Sequence, residues 1–287
     1  MANVVDLIRY PVKGCAGTST SDALLTPAGL AHDRSFMVIS EDGIFRTQRR
    51  HPSLALIRPA ISTDGTRLTL DATRGADGAD GTGRFGTLCL DVTTSAPRRD
   101  VDLFGTAFQG IDQGDEAAAW LSEFLGTPSR LVRVPPEHDR ITDGLTPGPS
   151  GYADSSAVHL LSRASLALLN QRLAERGAPA LPMNRFRPNI VVDSDWAAVP
   201  HAEDRARRIS IGGAELGYAK LAVRCAVTLV EQAAGARRGP EPLRTLATYR
   251  RAASGGVVFG AKFSVIRPGK LSVGDEVVIQ EWGNAEL

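Results

Sequence analysis

The feature that most constrains this chain is its punctuation, since short apolar runs alternate with glycine and aspartate turns along most of its length. Residues 4–8 form one such run and end at Tyr10-Pro11. Residues 36–39 and 44–47 flank Asp42-Gly43, a short hairpin signal because such turns need residues that tolerate positive φ. Asp64-Gly65 separates residues 56–61 from 68–70 in the same manner. Residues 209–211 and 215–217 flank Gly212-Gly213, and 189–192, 221–223, 227–229, 257–259 and 277–280 add further runs. Many short strands with glycine turns predict a barrel or an orthogonal sandwich. The class is α+β, dominated by strands.

Helical spacing appears three times. Trp120, Leu121, Phe124 and Leu125 share a face, with Asp115 and Gly126 as start and stop signals. Leu166, Leu169 and Leu173 form a second stripe between Ser162 and Gly177. A third, short helix follows Pro242 through Leu243 and Leu246 to Tyr249-Arg250. Residues 74–86, mostly Gly, Asp and Ala, read as a flexible excursion, and the proline- and glycine-rich stretch 135–151 as a long loop. A boundary near Ser129 divides the chain into 1–128 and 129–287.

Composition narrows function. With 33 Lys+Arg against 32 Asp+Glu, no global field favours nucleic acid or a membrane surface, so any anion site must be local. No stretch approaches the roughly 18 apolar residues of a spanning helix, and no secretory leader is expected. Three scattered cysteines, Cys15, Cys89 and Cys225, suggest a reducing compartment, with the cytoplasm as default. There is no phosphate loop, no dinucleotide fingerprint and no nucleophile elbow. The five histidines never fall at ligand spacing on a helix; His159 reads as a satisfied residue near a strand and His32 as a polar loop residue.

What remains is local. Asn184-Arg185-Phe186 precedes Arg187-Pro188-Asn189, and the proline predicts an extended Arg187 whose planar fork can meet an anion. Arg224-Cys225 closes an apolar run, where positive charge would favour a thiolate, which is both nucleophile and metal ligand. Read alone, each is more often a surface arginine or a small buried hydrophobe. Cys89, between Leu88 and Leu90, is expected in the core, and the role of Cys15 is open.

The residues in order carry a resemblance. Tyr10-Pro11-Val12-Lys13-Gly14-Cys15, then Gly29-Leu30, Asp33-Arg34 and Thr47-Gln48-Arg49, are similar to the N-terminal β-barrel region of MOSC proteins. Phe186-Arg187-Pro188-Asn189, Arg224-Cys225, Glu241-Pro242-Leu243 with Leu246, Tyr249-Arg250, Phe259-Gly260, Gly269 and Val273-Gly274-Asp275 resemble the MOSC domain itself. The pattern resembles the branch containing the mitochondrial amidoxime-reducing component and its bacterial counterparts. That resemblance implies a molybdenum cofactor, Mo-molybdopterin, with Cys225 as thiolate ligand to the metal and catalytic residue. It implies that Lys13, Gly14, Arg34, Asp154, Ser155, Ser156, Arg187, Asn189, Arg224 and Lys262 line the cofactor site. Gly14 departs from the branch's usual Ser, and Lys262 from its aromatic Tyr.

The implied activity is reduction of a small N-hydroxylated or N-oxide substrate. Because an iron–sulfur cluster ordinarily needs four thiolates, electrons are expected from a separate ferredoxin- or reductase-type partner. Two alternatives stay open: a sulfur-transfer protein of cofactor maturation, with a persulfide on Cys225, and a non-catalytic cofactor carrier.

Overall fold

A computed structural model describes all residues except 74–82, 254 and 285, so most of the predicted excursion at 74–86 lies outside the described residues. The strand-dominated α+β class holds. The largest sheet has eight strands in the order Val277–Trp282, Ala206–Ile211, Ala214–Arg224, Val257–Arg267, Val158–Ser162, Ile190–Asp193, Asn3–Arg9 and Thr18–Thr20. Val158–Ser162 and Ile190–Asp193 run parallel, and helix α2 (Arg163–Ala174) lies in the crossover between them. A parallel pair needs such a crossover, whereas the rest of this sheet is antiparallel and can use short turns.

A five-stranded sheet gathers Arg98–Leu103, Thr106–Asp112, Arg130–Arg133, Phe36–Ile39 and Val12–Lys13. The halves are interleaved: Asn3–Arg9 pairs with Ile190–Asp193, and Arg130–Arg133, just past Ser129, pairs with Phe36–Ile39. Consequently Val12–Lys13 and the downstream segments around 187–189 are brought close, and the site is built where those sheets meet.

The helices follow their local signals. Helix α1 (Asp115–Leu125) stops at Gly126, whose φ of 66° is the left-handed conformation that glycine adopts without a Cβ penalty. Ser162 caps α2 by accepting a hydrogen bond from the Ser165 backbone N–H at 3.1 Å. Helix α3 is a single turn, Leu243–Leu246.

Several expectations are corrected. Residues 44–47 make only isolated bridges, Ile39 to Phe45 and Ile44 to Asp102, rather than a strand. Leu56 ends a 3₁₀ turn, Pro52–Leu56, before the strand Ile57–Ile61. Residues 227–229 belong to another 3₁₀ turn, Ala226–Leu229. The loop at 135–151 contains a small ladder of Ile141–Thr142 with Gly148–Pro149. Arg84–Gly86, the end of the predicted excursion, already lies in the strand Arg84–Asp91. That strand alternates, so Leu88 and Leu90 face inward and Cys89 is exposed instead of lying in the core.

Candidate functional site

A cavity of about 340 Å³ opens where the two largest sheets meet. Its wall includes every residue that the resemblance implies for the cofactor site: Lys13, Gly14, Arg34, Asp154, Ser155, Ser156, Arg187, Asn189, Arg224, Cys225 and Lys262. Arg46, Arg49 and Lys220 add to the lining, and Asp154 is its one carboxylate among the described residues. A local excess of positive charge therefore exists in a chain whose net charge is only +1.

The centre of the arrangement is Tyr10. Arg34 and Arg187 each place the guanidinium carbon 4.2 Å from the centroid of its ring, a cation–π geometry. Arg34 Nη1 donates to Asp33 Oδ2 at 2.6 Å and to Asn189 Oδ1 at 3.0 Å, while Nη2 donates to the Arg187 carbonyl at 3.3 Å. Asp33 Oδ1 in turn accepts from the Tyr10 backbone N–H at 2.8 Å. Arg34 and Arg187 have φ of 45° and 55°. The expected extended backbone at Arg187 is thus corrected: the proline disfavours right-handed helix, and tertiary contacts hold the residue in the left-handed region instead. Such conformations cost about 1–3 kcal/mol each for non-glycine residues and persist only where surroundings enforce them.

Lys13 enters from the short strand Val12–Lys13. Its Nζ donates to the Tyr152 carbonyl at 2.9 Å and to Asp154 Oδ1, and lies 4.8 Å from the Phe104 ring centroid. Asp154 lines the cavity and is exposed to it. Desolvation opposes its charge, yet Lys13, with Lys262 and Arg34, holds its carboxyl well below the usual range. Gly14, at φ 83°, gives its carbonyl to Gln48 Nε2 at 2.6 Å, and Gln48 pairs with Gln232.

The cations are poorly compensated. Burial lowers the Arg224 pKa to about 10; its Nη2 donates to the Phe186 carbonyl at 2.9 Å, and its Nε has no partner. Burial, with Arg224 and Arg34 nearby, lowers Lys262 to about 7. The hydroxyls of Ser156 and Thr47 are also buried without partners. Unmet donors within the wall of a cation-rich hollow are what an anionic ligand with several hydrogen-bonding edges would satisfy once seated there.

Cys225 is exposed at this cavity, immediately after the strand Ala214–Arg224. Its carbonyl accepts from Thr228 N at 3.1 Å and Thr228 Oγ1 at 2.9 Å, so the main chain is fixed while the sulfur stays free. Cys15, left open by the sequence, is fully buried, and burial pushes its thiol up to about 12. His159 is not the satisfied residue expected: it is buried beside the site, with neither ring nitrogen in a well-formed hydrogen bond. Burial, together with Lys262 and Arg224, pushes its pKa well below the ordinary value.

Sequence reasoning missed Tyr10 and Phe104 as parts of the site. Tyr10 ends an apolar run and opens the first family-like block, but nothing local signals that two distant arginines stack on it.

Comparison with known proteins defines the class. The MOSC N-terminal beta barrel domain matches residues 1–128, and the MOSC domain matches residues 147–278. The chain belongs to the MOSC family. It is 34% identical to the mitochondrial amidoxime-reducing component 1 of Mus musculus, covering 97% of this chain and 82% of that protein. The mitochondrial amidoxime reducing component 2 of Rattus norvegicus is 34% identical over 93% of this chain and 80% of that protein. The molybdenum cofactor sulfurase of Danio rerio is 32% identical over 90% of this chain, which spans only 31% of that longer protein.

Proposed function

We propose that this protein holds a molybdenum–pterin cofactor through Cys225 and works as an oxidoreductase on small N-hydroxylated or N-oxide substrates. The observation that carries the reading is an exposed cysteine set in a cavity whose cations outnumber its carboxylates. The names and 34% identity of the amidoxime-reducing relatives support the choice of substrate class.

The residues present fit such a group. A phosphate suits the forks of Arg187 and Arg224, and the edges of a pterin suit Asn189, Asp154, Ser155 and the unpartnered hydroxyl of Ser156. A soft thiolate suits molybdenum. When bound, the cofactor supplies the two-electron redox chemistry that side chains lack.

The chain's own residues supply the setting. Arg34, held by Asp33 and Asn189, keeps its guanidinium aimed along the cavity wall. Lys13 orients Asp154. Reduction of an N-hydroxyl group to N–H consumes two electrons and two protons and releases water. Lys262, with its pKa lowered to about 7, is a group that can pass a proton at Nζ near neutrality. The three cysteines are dispersed and fall short of a cluster's four thiolates, so a separate ferredoxin- or reductase-type donor supplies the electrons.

The test is metal analysis of wild-type protein and Cys225→Ser made in a host that synthesises molybdopterin, followed by turnover of hydroxylamines, amidoximes and S-oxides with an artificial donor. Wild type should carry molybdenum and turn over; Cys225→Ser should lose at least about tenfold in metal content while keeping its melting curve. Equal metal in both would remove Cys225 as ligand, and fully loaded but inactive wild type would leave a cofactor carrier. The similarity to sulfurases supports sulfur transfer as a second reading. A persulfide on Cys225 in intact-mass spectra, without molybdopterin, would favour it.

A further inference from the structure

A second cavity, of about 600 Å³, lies between the loop after α2, the 3₁₀ turn Met183–Arg185 and the segment leading into α3. Its wall holds four arginines, Arg176, Arg185, Arg238 and Arg244, against one carboxylate, Glu241. Leu181 and Pro240 give it an apolar side.

The charges do not cancel internally. Arg238 pairs with Glu231 at 2.9 Å, outside the cavity wall, and Glu241 Oε2 accepts from the Thr245 backbone N–H at 3.0 Å. Among the described residues, the side chains of Arg176 and Arg244 make neither an ion pair nor a hydrogen bond. Arg185 is the unusual member, because it is only 5% exposed. Its Nη1 donates to the Thr228 carbonyl at 3.1 Å, its Nε is sealed without a partner, and no carboxylate pairs with it among the described residues.

A purely structural role, propping the turn at Thr228, accounts for one of the five donors of Arg185. It does not account for a buried charge left unpaired beside an open cavity, an arrangement that is costly unless something neutralises it. The prop has a further effect. Thr228 is itself tied to the Cys225 carbonyl, so the guanidinium of Arg185 is fixed before any ligand arrives, and a pre-set donor loses little freedom on binding.

We propose that this cavity is a second anion site, distinct from the Cys225 cavity, for a small singly phosphorylated organic molecule. Arg185 at the back and Arg176 and Arg244 at the rim take the phosphoryl oxygens, because planar forks match such oxygens in pairs. A dianion suits three unpaired guanidinium groups better than a single carboxylate does. Leu181 and Pro240 cover the organic body.

The Cys225 cavity is also cationic, so the test must separate the two. Inorganic phosphate and phenyl phosphate are titrated calorimetrically into wild type, into Arg176→Gln/Arg244→Gln, and into Arg187→Gln. Both rim residues are exposed, so the double variant should keep the wild-type melting curve; Arg244→Glu, one exposed charge reversal, serves as the second variant. Phenyl phosphate should bind Arg187→Gln with one site intact, and that site should weaken at least about tenfold in the double variant. It should also be filled more tightly by phenyl phosphate than by inorganic phosphate. The proposal is overturned if the rim variants titrate as wild type, or if Arg187→Gln alone abolishes all binding. Equal affinity for the two phosphates overturns the organic body. Vesicles containing phosphatidic acid form a third arm: rim-dependent sedimentation with them, without binding of phenyl phosphate, would replace the small molecule by a lipid headgroup.

Discussion

Two buried groups of charges in this protein are unbalanced in opposite senses. The Cys225 cavity has cations in excess and opens outward. Beneath α2, Glu203, Asp204 and Arg250 are 0%, 1% and 2% exposed, with two carboxylates against one guanidinium. Glu203 accepts from Ser162 N, Ser162 Oγ and Ser165 Oγ, at 3.3, 3.1 and 2.7 Å. Arg250 donates to Asp204 Oδ2, while Oδ1 has no partner. Burial pushes Asp204 up to about 7 despite Arg250. The sealed group can therefore correct its imbalance by taking up a proton. The open one can correct its own by admitting an anion, and that contrast separates a structural cluster from a binding site.

The largest way to break the contrast is Arg250→Met. Removing the buried guanidinium that pairs with Asp204 should cost about 3–5 kcal/mol in urea denaturation at pH 8. At pH 5 the loss should be smaller, because Asp204 is then protonated. Equal losses at both pH values would mean that protonation does not compensate. Lys262→Met sharpens the other side. Its folded pKa lies at about 7, below the ordinary 10.5, so its cost to stability is full below pH 7 and relieved as pH rises to 10.5. Stability of the wild type should thus fall from about pH 4 to 7 through Asp204 and rise from 7 to 10.5 through Lys262. The methionine variant should gain about 1–2 kcal/mol below pH 7 and lose the upper slope, read from melting curves across pH. The smallest effect belongs to Cys89→Ser. With the thiol exposed beside Thr69, the change should stay within about 0.5 kcal/mol. A larger loss would put that sulfur in a core after all.

Much of the fold could be read because its signals are local. Ser162 and Gly126 mark helix ends through bonds made within a few residues, and Gly212-Gly213 turns a hairpin whose arms are adjacent in sequence. Residues 227–229 misled because Thr228 ties itself back to Cys225, a side-chain bond that competes with strand pairing. Cys89 could have been placed correctly by the two-residue period of its own strand, since Leu88 and Leu90 already claimed the inward face. For the site, the family blocks named the lining but not its assembly. Tyr10 meets Arg34 and Arg187 only because Asn3–Arg9 pairs with Ile190–Asp193, a contact between segments far apart in sequence.

That double stack has a kinetic consequence. Arg187 and Arg34 repel one another, and burial with this repulsion lowers the Arg187 pKa. Both guanidinium carbons stay 4.2 Å from the Tyr10 ring centroid, and Arg34 is tied to Asn189 and to the Arg187 carbonyl, so the two forks cannot drift apart to ease the strain. A guest carrying negative charge would discharge it on arrival, and the host would scarcely need to rearrange. Capture should accordingly be fast in dilute buffer and slow steeply as added salt performs the same neutralisation.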